Sequence, residues 1–294
     1  MNVWSGETVS DKIEMFRDSV IQHGPENDRV YVMKTTRTDC QDVIHYALKL
    51  ADSNGYSKIF AKFPESCKQF FEQNMFIEEA KVPGLFNGEE CGYFSGRYID
   101  LARKLETRPE LIEQVIEAAH SKYSDGVESH MLSPGLTCRI MNRNDINTMA
   151  FLFKQVFPTY PFPIHDPDYL ATTMEQNVIY HGIFKGTELI AQSSAEIDFN
   201  ARNVEMTDFA THLNSRGKGL ATYLLAVMED DVMKRGVQTA YTIARAYSFG
   251  MNSTFAKRGY QYAGTLTNNT QISGQLESMN VWYKQIHGYM EGRA

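Results

Sequence analysis

The feature that most constrains this chain is the run Arg216-Gly217-Lys218-Gly219-Leu220-Ala221, which joins a strand-like segment, 203–211, to an amphipathic helical one, 219–235. A strand that turns on glycines into a helix N-terminus is an anion-binding device. The N–H groups of the first helical turn have no internal acceptor, and the helix dipole adds to their pull on negative charge. Gly217 and Gly219 let the backbone approach a ligand with no Cβ in the way, while Arg216 and Lys218 add positive charge. Neither the Gly-x-x-x-x-Gly-Lys-Ser/Thr phosphate loop nor the Gly-x-Gly-x-x-Gly dinucleotide turn is present. The same residues could merely turn the chain, so the context matters. Leu220, Leu224 and Met228 give the helix an apolar stripe. A strand (237–244), a helix (250–257) and the pair Gly259-Tyr260 follow.

Hydrophobic periodicity organises the rest as α/β. With 294 residues the chain suffices for about two domains at ~150 residues each. In the first half, strands are predicted over 29–35 and 58–62. A helix begins at Thr38, with Gln41 placed for a capping box, and ends at Asn54-Gly55. A second helix runs from Pro64-Glu65 to Asn74. Strands over 76–81 and 92–99 flank an Asn87-Gly88 turn, and a helix spans 108–119. The polar stretch 122–134 marks the domain boundary, giving units 1–135 and 136–294. The second unit opens with a strand (136–140) and a helix capped at Asn144-Asp145. Pro158, Pro161, Pro163 and Pro167 then impose an irregular loop. Strands over 178–185, 188–197 and 203–211 lead into the glycine turn. After it, strands 260–266 and 275–284 close the chain. The run Phe70–Phe76 echoes Thr254–Tyr260, each between a helix and a strand.

Composition narrows the function. A net charge of −7 argues against nucleic acid and anionic membranes as partners, without forbidding a local basic pocket. Cys40, Cys67, Cys91 and Cys138 form no C-x-x-C pair, so they read as scattered reduced thiols and no metal site is expected. Acidic residues in the first nineteen positions are unlike a signal peptide, and no run approaches the ~20 apolar residues of a membrane span. The expectation is a cytoplasmic protein.

Arg216, Gly219 and Ala221 resemble motif A, Arg/Gln-x-x-Gly-x-Gly/Ala, of the GNAT acetyltransferases, and the surrounding elements agree with it. The resemblance implies a GNAT fold in 136–294 and a degenerate half-GNAT-like domain before it. It implies acetyl-CoA as cosubstrate. The amides of 217–222 (Gly217, Lys218, Gly219, Leu220, Ala221, Thr222) would hold the pyrophosphate. The strand around Phe209, Ala210 and Thr211 would pair with the pantetheine, and Asn252 would reach CoA. Glu205 falls where many members carry a general base. Strand alternation puts 205, 207, 209 and 211 on one face and Asp208 on the other. An amine of pKa ~10.4 needs such a base, although Glu205 could instead hold the substrate's cation or be a structural partner. Phe255 stands where the family often has a tyrosine acid, and Tyr247 and Tyr260 are nearby substitutes.

The runs Glu205–Thr211, Glu277–Lys284, Tyr160–Pro163 and Leu85–Gly88 look like the beta-lysine N-acetyltransferases of this superfamily. That resemblance spans nearly the full length and implies transfer to the N6 amine of beta-lysine, with a lysine 2,3-aminomutase as pathway partner. Tyr160, Asp166, Asn268, Asn269, Glu277 and Asn280 are the candidates for holding the acceptor. A homodimer, another amine as acceptor, and a non-catalytic acyl-CoA-binding module stay open.

Overall fold

The computed structural model describes residues 11–124 and 131–286. The first half contains β1 (Lys12–Phe16), β2 (Ser19–Gly24), β3 (Arg29–Lys34), α1 (Cys40–Asn54), β4 (Lys58–Pro64), α2 (Lys68–Gln73), β5 (Ile77–Phe86), β6 (Glu90–Tyr98) and α3 (Pro109–His120). The second contains β7 (Leu136–Ile140), α4 (Ile146–Val156), α5 (Pro167–Gln176), β8 (Val178–Lys185), β9 (Glu188–Asp198), β10 (Asn203–Thr211), α6 (Leu220–Lys234), β11 (Thr239–Arg245), α7 (Phe249–Lys257), β12 (Gln261–Ile272) and β13 (Gln275–Gln285).

All thirteen strands join one mixed sheet, in the order β1-β2-β3-β4-β6-β5-β12-β13-β11-β10-β9-β8-β7. The order reads the same outward from the β5–β12 seam. On one side β3 pairs in parallel with β4 across α1; on the other β10 pairs in parallel with β11 across α6. The seam itself is a single bridge, Gly264 to Ala80. A Cβ on Gly264 would stand 2.1 Å from the Glu79 carbonyl oxygen, so only glycine allows this approach. The echo noted in the sequence is a repeated corner. Phe71 meets Phe76 edge-on at 4.9 Å, and Phe255 meets Tyr260 likewise at 5.0 Å. In both, the second aromatic's amide donates to the first one's carbonyl at 3.1 Å.

Alternation sorts the side chains. Val30, Val32, Ile59 and Ala61 pack under α1, whereas Tyr31 and Phe60 turn to the other face and meet Tyr241, Leu266 and Val281 of the second half. α6 and α7 bury Leu224, Met228 and Phe255 on Met206 and Trp282, and α4 buries Met149 and Phe153 beside Tyr180 and Ala210. These contacts bring the free face of β3 and β4 opposite α5 and the loop that precedes it.

Three expectations need correction. Cys40 and Cys67 are not scattered: they form a disulfide, Cα atoms 6.0 Å apart, tying the start of α1 to the turn before α2. The predicted capping box at Thr38 does not form. Its hydroxyl pairs with Thr36 at 2.8 Å, and Asp39 occupies the cap position without a side-chain cap bond. Part of the proline-rich segment is helical, because Pro167 sits in the first turn of α5, where its missing N–H costs nothing. β1 and β2 were not anticipated.

Candidate active site

β10 and β11 are hydrogen-bonded over only three residues, Asn203–Glu205 with Thr239–Tyr241. Beyond Glu205 they separate. The cause lies in β10, where the register to β9 shifts between Thr207 and Ala210 and Asp208 adopts φ 54°. One extra residue there makes a bulge, which bends a strand and resets its alternation. Glu205 and Thr207 face the first half of the chain. After the bulge Phe209 turns to the α7 side, packing edge-on against Phe255 at 5.6 Å, and Ala210 joins the α4 core. The predicted common face of 205, 207, 209 and 211 is therefore broken, and Asp208 reaches the same cavity as Glu205.

That cavity, about 940 Å³, fills the gap and is lined by both halves of the chain. Glu205 of β10 stands directly across from Glu196 of β9. Like charges directly opposite repel, and burial adds to the cost of ionising either. Burial, then the Glu205 and Asp208 charges, holds Glu196 well above the usual carboxylate range. Burial also raises Glu205, against the pull of Lys62. The Tyr241 hydroxyl donates to Glu205 Oε2 at 3.0 Å and receives Lys62 Nζ at 2.6 Å. Asp208, raised by burial, accepts from Tyr160 Oη and Ser194 Oγ, each at 2.6 Å.

On the opposite face of the gap, the glycine turn leads into α6. Gly217 and Gly219 take φ 76° and 73°, and a Cβ at either would meet nothing within 4 Å, so the turn has room for a bulky anion. Arg216 and Lys218 are exposed and fold back on the carbonyls of Thr211 and Asn214, at 3.3 and 3.1 Å. Leu220 and Thr222 are buried at the helix start, with Ala221 half-buried between them. From Met206 to Thr211 the main chain of β10 has no partner on the β11 side. An extended chain carrying a pyrophosphate fits both features. No group of three His, Cys, Asp or Glu among the described residues could hold a metal ion.

Of the predicted acceptor residues, Tyr160 and Asn269 line the cavity. The others do not. Asp166 caps α5, accepting from the Asp168 amide at 2.9 Å. Asn268 Nδ2 is spent on the carbonyls of Arg103 and Leu105. Glu277 is fully buried and chelates Arg245 at 2.9 and 2.5 Å. Asn280 pairs with Asn252 and Thr265. Asn252 is also corrected as a CoA contact. Its amide donates to the carbonyls of Arg245 and Ser248, and its oxygen accepts from Asn280 and Trp282, which exhausts its side chain. Neither Tyr247 nor Tyr260 lines the cavity, so neither substitutes there for the acid that Phe255 replaces.

Glu196, Lys62 and Tyr241 went unnoticed in the sequence. For Glu196 a signal existed: 198 pairs with 203 at the hairpin, so 196 must face 205. Lys62 comes from the other half of the chain and carried none.

Residues 147–260 match the Acetyltransferase (GNAT) family. The chain belongs to this family and is an acetyl-CoA-dependent N-acetyltransferase. It is similar over most of its length to Beta-lysine N(6)-acetyltransferase of Methanococcus maripaludis, 38% identical over 93% of this chain and 98% of that one. The Methanosarcina mazei protein of the same name is 30% identical over 82% of this chain and 96% of its own. N-acetyltransferase YodP of Bacillus subtilis is 29% identical over 91% and 96%. Among solved structures, ribosomal-protein-S18-alanine N-acetyltransferase from Escherichia coli matches 54% of this chain and 99% of its own, at TM-score 0.47 and 15% identity.

Proposed function

We propose that the chain acetylates the N6 amine of beta-lysine by direct attack on acetyl-CoA in a ternary complex, with Glu205 as general base. The observation that carries the reading is the Glu205–Glu196 pair, facing each other in a buried cavity at the gap between β10 and β11. Two opposed carboxylates are costly alone and well matched to an ammonium between them. The relatives named for beta-lysine direct the choice of amine.

Glu196 holds the ammonium, and Glu205 takes its proton. Burial raises Glu205 toward neutral pH, where a base is most effective, and Tyr241 fixes which oxygen points at the amine. Acetyl-CoA, held by the turn at 216–222 and the open edge at Phe209–Thr211, supplies the thioester. The new C–N bond forms as the C–S bond breaks. The nitrogen's second proton passes to the departing thiolate, whose thiol has pKa ~8.5, so no protein acid is required. Asp208 and Ser194 keep Tyr160 on the wall of the cavity.

An aminomutase acting on lysine would supply this acceptor, and the reaction belongs in the cytoplasm. The test is the position of the acetyl group. Beta-lysine incubated with enzyme and acetyl-CoA should give the N6-acetyl isomer by NMR; acetylation at N3, or no product, contradicts the reading.

A further inference from the structure

One end of the cavity carries two polar atoms with nothing to bind. Arg29, on β3 in the half of the chain without a cofactor turn, lines the cavity and is 97% buried, being 3% exposed. Among the described residues it has no carboxylate within ion-pair distance. Its Nη1 donates to the Asn269 carbonyl and to Thr270 Oγ1, and Nη2 to Gln22 Oε1. Its Nε has no partner. The guanidinium lies 5.2 Å from the Tyr31 ring, which keeps it in place without neutralising it. Beside it Asn269, 1% exposed, holds its Oδ1 without a donor. A buried cation lacking a counter-ion and a buried acceptor lacking a donor are each costly. Both costs disappear if one ligand brings an anion and an N–H side by side.

The cavity that holds Arg29 also holds the carboxylate pair. Arg29 is opposite Lys58 in the β3–β4 register, and Lys62 lies four residues further along the same face, roughly 13 Å away at ~3.3 Å per residue. Lys62 contacts Tyr241, which contacts Glu205. A six-carbon diamino acid carries its terminal amine and its carboxylate at opposite ends, and Arg29 lines the same cavity as Glu196 and Glu205.

We propose that Arg29 and Asn269 Oδ1 form a clamp for the acceptor's amino-acid end, the guanidinium taking the carboxylate and the amide oxygen the neighbouring ammonium. The far amine then lies at the Glu205–Glu196 pair. The clamp rests on the diamino-acid reading given above and adds its selectivity: a carboxylate is required, and polyamines leave Arg29 unpaired. The first half of the chain thus supplies the carboxylate anchor for a substrate that the second half acetylates.

The test compares beta-lysine with 1,4-diaminopentane, the same skeleton without its carboxylate, in the full-length wild type, Arg29→Gln and Arg29→Lys. The wild type should favour beta-lysine in kcat/KM by about 100-fold, as a site built for a charged group rejects its absence. Arg29→Gln should lose about 100-fold on beta-lysine, through KM, and less than about 3-fold on the diamine, with acetyl-CoA affinity kept; the lysine variant should recover about 10-fold of that loss. Equal losses on both amines, or an undiminished preference for beta-lysine, overturn the clamp. If Arg29→Gln does not fold, Arg29→Lys decides alone: a KM rise confined to beta-lysine supports the clamp, and none overturns it. A wild type that ignores beta-lysine overturns the diamino-acid reading itself, and the clamp with it.

Discussion

At the scale of single residues, two opposed carboxylates divide two tasks. Tyr241 orients Glu205, whereas the Glu196 side chain has no hydrogen bond among the described residues and, of cations, feels only the more distant charge of Lys62. Glu205→Gln should lower kcat by about 10²–10⁴ while calorimetry finds acetyl-CoA binding unchanged, since the variant removes the proton acceptor and not the cofactor site. An indifferent variant would mark a binding module instead. Because the base must be ionised, kcat/KM should rise with pH through the Glu205 pKa, which burial places above its ordinary 4.5. Glu196 gives a stability prediction of definite sign. Its folded pKa is raised, so its contribution to stability is fully present below about 4.5 and is lost as pH rises through the folded value. Glu196→Gln should therefore raise the Tm at pH 8, leave it unchanged at pH 4, and raise KM for the acceptor.

At the scale of elements, the bulge in β10 and the turn before α6 convert a sheet edge into a binding gap. Gly219 sits at φ 73° with open space around it, so Gly219→Ala meets no neighbour and pays mainly for its backbone, about 1–2 kcal/mol. The variant should fold with a lowered Tm and a raised KM for acetyl-CoA. The ion pair between β11 and β13 is asymmetric. The Arg245 side chain is 32% exposed and that of Glu277 is 0% exposed. Arg245→Ala, which strands a buried carboxylate, should cost about 3–5 kcal/mol in urea denaturation, and Glu277→Gln clearly less. These elements were unequally legible. The period-2 and period-3.6 patterns placed β3 to β13, α1 to α4, α6 and α7, because apolar spacing reports which face is buried. The bulge left only a faint trace: in Glu205-Met206-Thr207-Asp208-Phe209 two polar residues fall in succession at 207 and 208, where a regular strand would alternate, and Asp208 takes φ 54° there. α5 hid behind prolines that start it, and Asn252, Asn268, Glu277 and Asn280 looked like ligand residues because buried amides and carboxylates that bond one another have the same composition as a site.

At the scale of the molecule, two related halves meet along β5–β12 and divide the labour. The repeated Phe71–Phe76 and Phe255–Tyr260 corners made the relationship readable in the sequence, yet nothing local placed Lys62 or Arg29 beside Glu205. Such contacts belong to the folded sheet, where residues from two halves face one cavity. In the first half the turn that would correspond to 216–222 carries Asp39, which accepts from the Asp18 amide at 3.0 Å and the Ser19 hydroxyl at 3.3 Å. The central claim is selection of a diamino acid by a cavity of opposed carboxylates. Its most direct measurement is a competition in which beta-lysine, lysine and spermidine at equal concentration share one pool of enzyme and acetyl-CoA. N6-acetyl-beta-lysine should dominate the products by at least about 10-fold, a difference of ~1.4 kcal/mol in transition-state binding; equal use of the three amines, or preference for spermidine, would contradict such selection.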